Sequence, residues 1–178
     1  MPVRKKIIAI PGSTRKESTN LNLLKIIVRE FSSRYDIHIF QGISGIPHFN
    51  PDLDKEDIPQ AVKDFRALLR EADGILICTP EYAMGVPGTL KNAIDWTVSS
   101  MEFSKKPVAL ITASSAGLKA HASLIETLKV IESDIPESSQ LVISFVRAKV
   151  KGEQIIDAET LQQVKNVMAS LGAAIEAR

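Results

Sequence analysis

Short, unbroken apolar runs alternate along the chain with segments whose apolar residues recur at helical spacing. The runs Ile7-Ile8-Ala9-Ile10, Gly74-Ile75-Leu76-Ile77-Cys78 and Val108-Ala109-Leu110-Ile111-Thr112 have the continuity of strands covered on both faces, as in a parallel sheet. Residues 35–40 alternate as a second strand, and residues 141–145 read as a fifth. Between these, Leu21, Leu24, Ile27, Val28 and Phe31 predict a first helix. Asp57, with Pro59 just inside, opens a second helix whose apolar positions include Val62, Phe65, Leu68 and Leu69. Further helices are predicted over 89–98 and 121–131, and Leu161, Val164, Val167, Met168, Leu171 and Ile175 line a last one. Residues 41–55, rich in Gly, Pro, Asn and Asp, read as a long loop, and 150–157 as a short polar hairpin or loop.

Strand and helix in alternation predict an α/β fold, a three-layer doubly wound five-stranded parallel sheet, because right-handed crossovers place helices on both faces. Neither repeats nor linkers break the pattern, so one domain is expected over residues 1–178. The flavodoxin-like order 2-1-3-4-5 suits five strands in a chain of this length. That order makes strands 1, 3 and 4 neighbours. The loops after them, residues 11–20, 79–88 and 113–117, then open on one crevice at the carboxyl edge. One site built from three distant segments is the expectation.

Composition narrows the partners. Apolar residues make up 44% and charged residues 24% of the 178, with a net charge of +1 and no basic face or tail to suggest nucleic acid. The apolar runs fall far short of the roughly 18 residues of a membrane span. Arg4-Lys5-Lys6 precedes too short an apolar run to make a signal peptide. A single cysteine forbids an intrachain disulfide and suits a reducing compartment. A cytoplasmic protein without membrane or nucleic-acid partners is expected.

The first loop crowds Ser13, Thr14, Arg15, Ser18, Thr19 and Asn20 into a strand-to-helix turn. Helix N-termini leave N–H groups unsatisfied and carry partial positive charge. Ser18 or Thr19 alone would cap this helix with no ligand, but capping needs one such residue, and five with an arginine favour an anion. Glu17 stands where a Walker A loop needs its second glycine, and the Gly-x-Gly-x-x-Gly fingerprint is missing as well. Phe40-Gln41-Gly42 offers no acidic residue for a ribose. A phosphomonoester, as in flavin mononucleotide, fits this loop better than a nucleoside triphosphate or a dinucleotide.

Gly12-Ser13-Thr14-Arg15 with Ser18 and Asn20, Pro80-Glu81-Tyr82, and the long stretch Pro87-Gly88-Thr89-Leu90-Lys91-Asn92-Ala93-Ile94-Asp95-Trp96 together resemble the NADPH-dependent FMN reductase family. The resemblance extends to the turn Pro47-His48-Phe49-Asn50 and to the third loop. It implies an FMN-dependent oxidoreductase that takes hydride from NADPH or NADH at flavin N5. The electrons then pass, in ping-pong fashion, to a small-molecule electron acceptor such as a quinone or azo compound. It also implies a homodimer or homotetramer. Matching family positions place Ser13, Arg15, Ser18, Asn20 and Leu21 around the FMN phosphate, and Pro80, Glu81, Tyr82 and Ala83 against the ring and ribityl chain. Ser114, Ser115 and Gly117 fall near the pyrimidine edge, where backbone N–H groups favour negative charge on reduction. The chain departs from the family where Ala83 and Gly85 replace the usual Asn and Ser, which removes a side-chain hydrogen bond at position 83.

No protein acid, base or metal is expected to act. Cys78 reads as a core residue, and His38, His48 and His121 lack metal-ligand spacing. Ala113-Ser114-Ser115-Ala116-Gly117 imitates a nucleophile elbow, but the catalytic histidine that should follow late in the chain is missing. Lys91, Asn92 and Asp95 read as a solvated face or as local bonds positioning the second loop. Trp96 reads as core or subunit interface, and residues 98–103 as a contributor to pairing. Two other functions fit the same fold: a flavin-binding electron carrier, which the +1 charge disfavours, and a flavin-free regulatory module.

Overall fold

The computed structural model describes residues 4–178. Its sheet is parallel throughout, with β1 (Lys5–Pro11) between β2 (Tyr35–Ile39) and β3 (Gly74–Thr79), then β4 (Val108–Ala113) and β5 (Gln140–Ile143), in the order β2-β1-β3-β4-β5. Side chains alternate between faces with a period of two, and each face is sealed by its own helices. Ile8, Ile10, Ile75, Ile77, Val108 and Leu110 pack beneath α2 (Gln60–Glu71), α3 (Gly88–Asp95) and α4 (Leu118–Val130). Ile7, Ala9, Leu76, Cys78, Ala109 and Ile111 pack beneath α1 (Thr19–Phe31) and α6 (Ala158–Glu176). β3 and β4 are buried at every residue, as continuous apolar runs require. This is the flavodoxin-like topology. No helix among the described residues is long and apolar enough to cross a membrane.

Several boundaries move, each for a local reason. Pro59 lies at the N-cap of α2 rather than inside it, its carbonyl accepting from Val62 and Lys63 at 3.0 and 3.1 Å. A residue before proline is pushed to extended backbone, so the helix cannot reach back to Asp57. β5 stops at Ile143, and Phe145 takes a left-handed φ of +53° that leads into an unforeseen one-turn helix, α5 (Val146–Lys149). Residues 41–55 hold single 3-10 turns at Ile43–Gly45 and Pro51–Leu53. The polar stretch before α6 is a hairpin, pairing β6 (Val150–Lys151) with β7 (Gln154–Ile155).

The Pro87–Trp96 stretch acts as a brace. Asn92 accepts the Phe49 N–H at 2.7 Å and donates to the Pro47 carbonyl at 3.0 Å, and the Trp96 indole donates to the same carbonyl at 2.8 Å. Asn92 therefore fixes the loop after β2, not the loop after β3, while Lys91 and Asp95 form an ion pair at 2.6 Å. Trp96 and Phe103 are fully buried, so both belong to the core and not to a subunit interface. Arg66 secures the turns beyond α3 by donating to the Trp96 carbonyl and to Asp54 at 2.7 Å, with both charged side chains 6% exposed. Burial pushes the Asp54 carboxyl up, but hydrogen bonds from Ser99 and Arg66 outweigh it and hold the group below its ordinary pKa. Removing only the cation strands a buried carboxylate. Arg66→Ala is expected to cost about 3–5 kcal/mol in urea unfolding at neutral pH, and the double apolar replacement Arg66→Met with Asp54→Leu much less.

Candidate functional site

The ends of β1, β3 and β4 are adjacent, so the loops after them meet. The first loop is pressed onto β3: the Gly12 N–H bonds the Cys78 carbonyl at 2.8 Å, and a Cβ at Gly12 would sit 2.2 Å from Thr79 Oγ1. Only glycine permits that approach. Ser13 Oγ and the Tyr82 hydroxyl share a hydrogen bond of 3.1 Å, joining the first loop to the second. Asn20 donates to the Ala113 carbonyl at 3.0 Å and accepts from the Cys78 thiol at 3.3 Å, joining α1 to β3 and β4. Its side chain is spent on this joint, leaving its backbone N–H as what it can offer a ligand. Cys78 is fully buried, and burial pushes its thiol pKa far up.

Arg15, Ser18, Asn20, Pro80, Glu81, Tyr82, Ser114 and Ser115 surround one cavity of about 480 Å³, within the roughly 300–1,000 Å³ usual for small-molecule sites. Ser13, Leu21, Ala83 and Gly117 stand beside it without lining it. At the start of α1, Ser18 occupies the N-cap position, yet its hydroxyl caps nothing. Among the described residues the Arg15 side chain has only a long 3.5 Å contact with the Glu17 carbonyl. A helix that merely ended neatly would have used that hydroxyl. These donors are unspent, and they face an open cavity.

At α4 the opposite holds. The Glu81 carboxylate accepts the N–H groups of Gly117 at 3.3 Å and Ala120 at 2.8 Å, so it caps α4 from the neighbouring loop. This lets α4 begin at Leu118, earlier than its own sequence predicts, after Gly117 at φ +94°. The Ala120 N–H bond, against a smaller cost of burial, holds Glu81 below its ordinary pKa. The Gly117 N–H is therefore taken, and the Ser114 N–H is bound to the Ile143 carbonyl at 3.1 Å. Of the three predicted donors near a flavin edge, only the Ser115 N–H has no protein partner among the described residues.

Tyr82 and Gly85 exchange both backbone hydrogen bonds, at 3.0 and 2.9 Å, around Ala83 and Met84. Both central residues are left-handed, with φ of +48° and +60°. A two-residue hairpin turn of this kind favours Asn or Gly, and alanine gains nothing there. The asparagine that this chain lacks thus has a backbone reason, independent of any ligand. The fourth wall, residues 145–148, escaped the sequence reading. In the sequence Phe145 falls at the end of the fifth predicted strand, and only the Arg147 that follows it carried any signal.

Two outcomes follow from this geometry. Ala83→Asn should raise stability by about 0.5–1 kcal/mol, seen as a higher Tm, because asparagine tolerates the left-handed backbone. A carboxylate held below its ordinary pKa stabilises the fold above its unfolded pKa and loses that contribution as pH falls through the folded value. Wild type should therefore lose more stability than Glu81→Gln between about pH 6 and about pH 3, compared by thermal melts.

Comparison with known proteins agrees with the site. Residues 5–148 match the family model described as NADPH-dependent FMN reductase. An NAD(P)H-dependent FMN reductase of Pseudomonas aeruginosa is 35% identical over 172 residues, covering 93% of this chain and 92% of its own. A quinone reductase of Escherichia coli is 27% identical over 184 residues, covering 99% and 98%. The flavoenzyme NAD(P)H:(acceptor) oxidoreductase FerB of Paracoccus denitrificans superposes with a TM-score of 0.82 at 28% identity, over 97% of this chain and 98% of that one. With its sheet order, its loops and most of its length accounted for in this way, the chain belongs to the NADPH-dependent FMN reductase family and is an NAD(P)H-dependent flavin oxidoreductase.

Proposed function

We propose that this chain retains FMN in the cavity at the carboxyl edge and passes reducing equivalents from NADPH or NADH to a small planar oxidant, a quinone or an azo compound. The two half-reactions use the same open face in turn, which makes the cycle ping-pong. The observation that carries this reading is the unspent cradle at the start of α1, where the Ser18 hydroxyl, Arg15 and the first N–H groups of the helix face a cavity of small-molecule size. A phosphate monoester is complementary to that donor set. The residues fit the cofactor.

When bound, FMN supplies the electron chemistry, with hydride received at its N5 and electrons given on to the oxidant. The protein binds and orients. Ser13, Arg15, Ser18, Asn20 through its backbone, and Leu21 form the phosphate end of the site in this proposal. Pro80, Glu81, Tyr82 and Ala83 form the wall for the ring and ribityl chain, with Tyr82 46% exposed at the rim. Ser114, Ser115 and Gly117 form the third side, with the Ser115 N–H as the donor offered to negative charge on a reduced ring. Glu81 holds the second and third sides together through α4. We propose a single-domain cytoplasmic protein acting as a homodimer or homotetramer. Val98 and Met101, exposed on the turns after α3, are the apolar residues there that remain available for pairing.

The test is a visible absorption spectrum of protein saturated with FMN and desalted, before and after anaerobic NADPH. A retained flavin band that bleaches is expected, with parallel double-reciprocal lines when a quinone is varied at several NADPH concentrations. A band that persists with NADPH and with NADH would make the protein an electron carrier. No retained band would leave FMN as a passing substrate or exclude it as a ligand. Arg15→Ala should weaken FMN binding by about tenfold or more, the loss of one charged hydrogen bond, read by fluorescence titration.

A further inference from the structure

We propose that Arg147 is a second cationic ligand of the flavin 5′-phosphate, delivered to it by the strained corner between β5 and α5. The proposal rests on the FMN reading above and adds a residue from outside the three loops.

Arginines elsewhere in this protein are spent. Arg29, Arg34, Arg66, Arg70 and Arg178 each pair with a carboxylate, and Arg4 donates to the Ser32 carbonyl. Arg15 and Arg147, the two that line the cavity, pair with none among the described residues, and Arg147 makes no side-chain hydrogen bond there. The acidic residue in the cavity lining is Glu81, and its charge is committed to the N-terminus of α4. His121 sits half-buried under β4 with its pKa pushed down by burial, so it contributes no cation near neutral pH. The lining is positively charged and unbalanced. A phosphate monoester carries about −1.5 to −2 near neutral pH. Arg15 and the roughly half-charge of the α1 N-terminus together offset only the lower end of that range, and a second guanidinium covers the fully ionised phosphate.

The corner that carries Arg147 is held from several directions. Phe145 and Val146 donate their N–H groups to the carbonyls of Ser115 and Ser114, both at 3.1 Å, and Ser144 Oγ donates to the Ala116 carbonyl at 2.8 Å. These bonds fasten the corner to the third loop and keep Phe145 left-handed at φ +53°, a conformation that a bulky side chain avoids. Such strain persists only where the surroundings over-determine it. Its product is a turn that places Arg147 in the cavity lining, next to the third loop.

The consequence is discrimination by the phosphate. FMN and riboflavin share their ring, so a phosphate ligand must affect one and not the other. Dissociation constants for both flavins should be measured by fluorescence quenching with wild type, Arg147→Gln and Arg147→Lys, at low and high salt. Arg147→Gln is expected to weaken FMN by about ten- to a hundredfold while leaving riboflavin within about twofold, and to flatten the salt dependence. Arg147→Lys should fall between, keeping the charge but losing the planar fork. Unchanged FMN affinity overturns the proposal, as does an equal loss for both flavins, which would mark the corner as a wall for the ring. A rise in KM for NADPH, with KM for NADH and FMN affinity unchanged, also overturns it and assigns the arginine to the 2′-phosphate of the donor. Wild type that binds neither flavin would sink the FMN reading itself, a result distinct from tight FMN binding that ignores Arg147.

Discussion

A parallel sheet starts every crossover helix from the same edge, so orphaned N–H groups accumulate there and each must find an acceptor. The rest of this molecule follows from how that requirement is met. At α4 the acceptor is internal: the Glu81 carboxylate crosses from the loop after β3 and fastens two loops together. At α1 the side chain placed to cap the helix makes no cap hydrogen bond, and an arginine waits beside it. The same physical need is satisfied in one place and left open in the other. The difference separates structure from site.

Much of the architecture was readable because it depends on periodicity. Ile7 to Ile10, Ile75 to Cys78 and Val108 to Thr112 are continuous apolar runs because both faces of their strands are buried, and their order in space follows from crossover handedness. What escaped prediction was non-local or backbone-driven. No residue near His121 reveals that α4 begins at Leu118, because its cap lies on another loop. Phe145 reads as a strand residue until the bonds to Ser114 and Ser115 turn it left-handed. Asn92 looks like part of a solvated face, and only the fold brings it against Pro47 and Phe49.

The most specific motif in the chain is therefore not its chemistry. Pro87 to Trp96 secures the loop after β2 through Asn92 and the Trp96 indole, and Arg66 holds the turns beyond it from α2. None of these side chains lines the cavity. The residues that do line it come from short loop segments without a periodic signature of their own.

Cys78 shows a further side of this economy. It is the chain's one thiol, sealed beneath the first loop, with its proton directed to Asn20 and its ionisation suppressed by burial. Quinones are electrophiles to which thiolates can add, as well as electron acceptors. A protein proposed to reduce them two electrons at a time must survive repeated exposure to its own oxidants. With its sole sulfhydryl protonated and enclosed, this chain presents them with no competent cysteine nucleophile. Resistance to suicide inactivation is thus built into the same joint that ties α1 to the sheet.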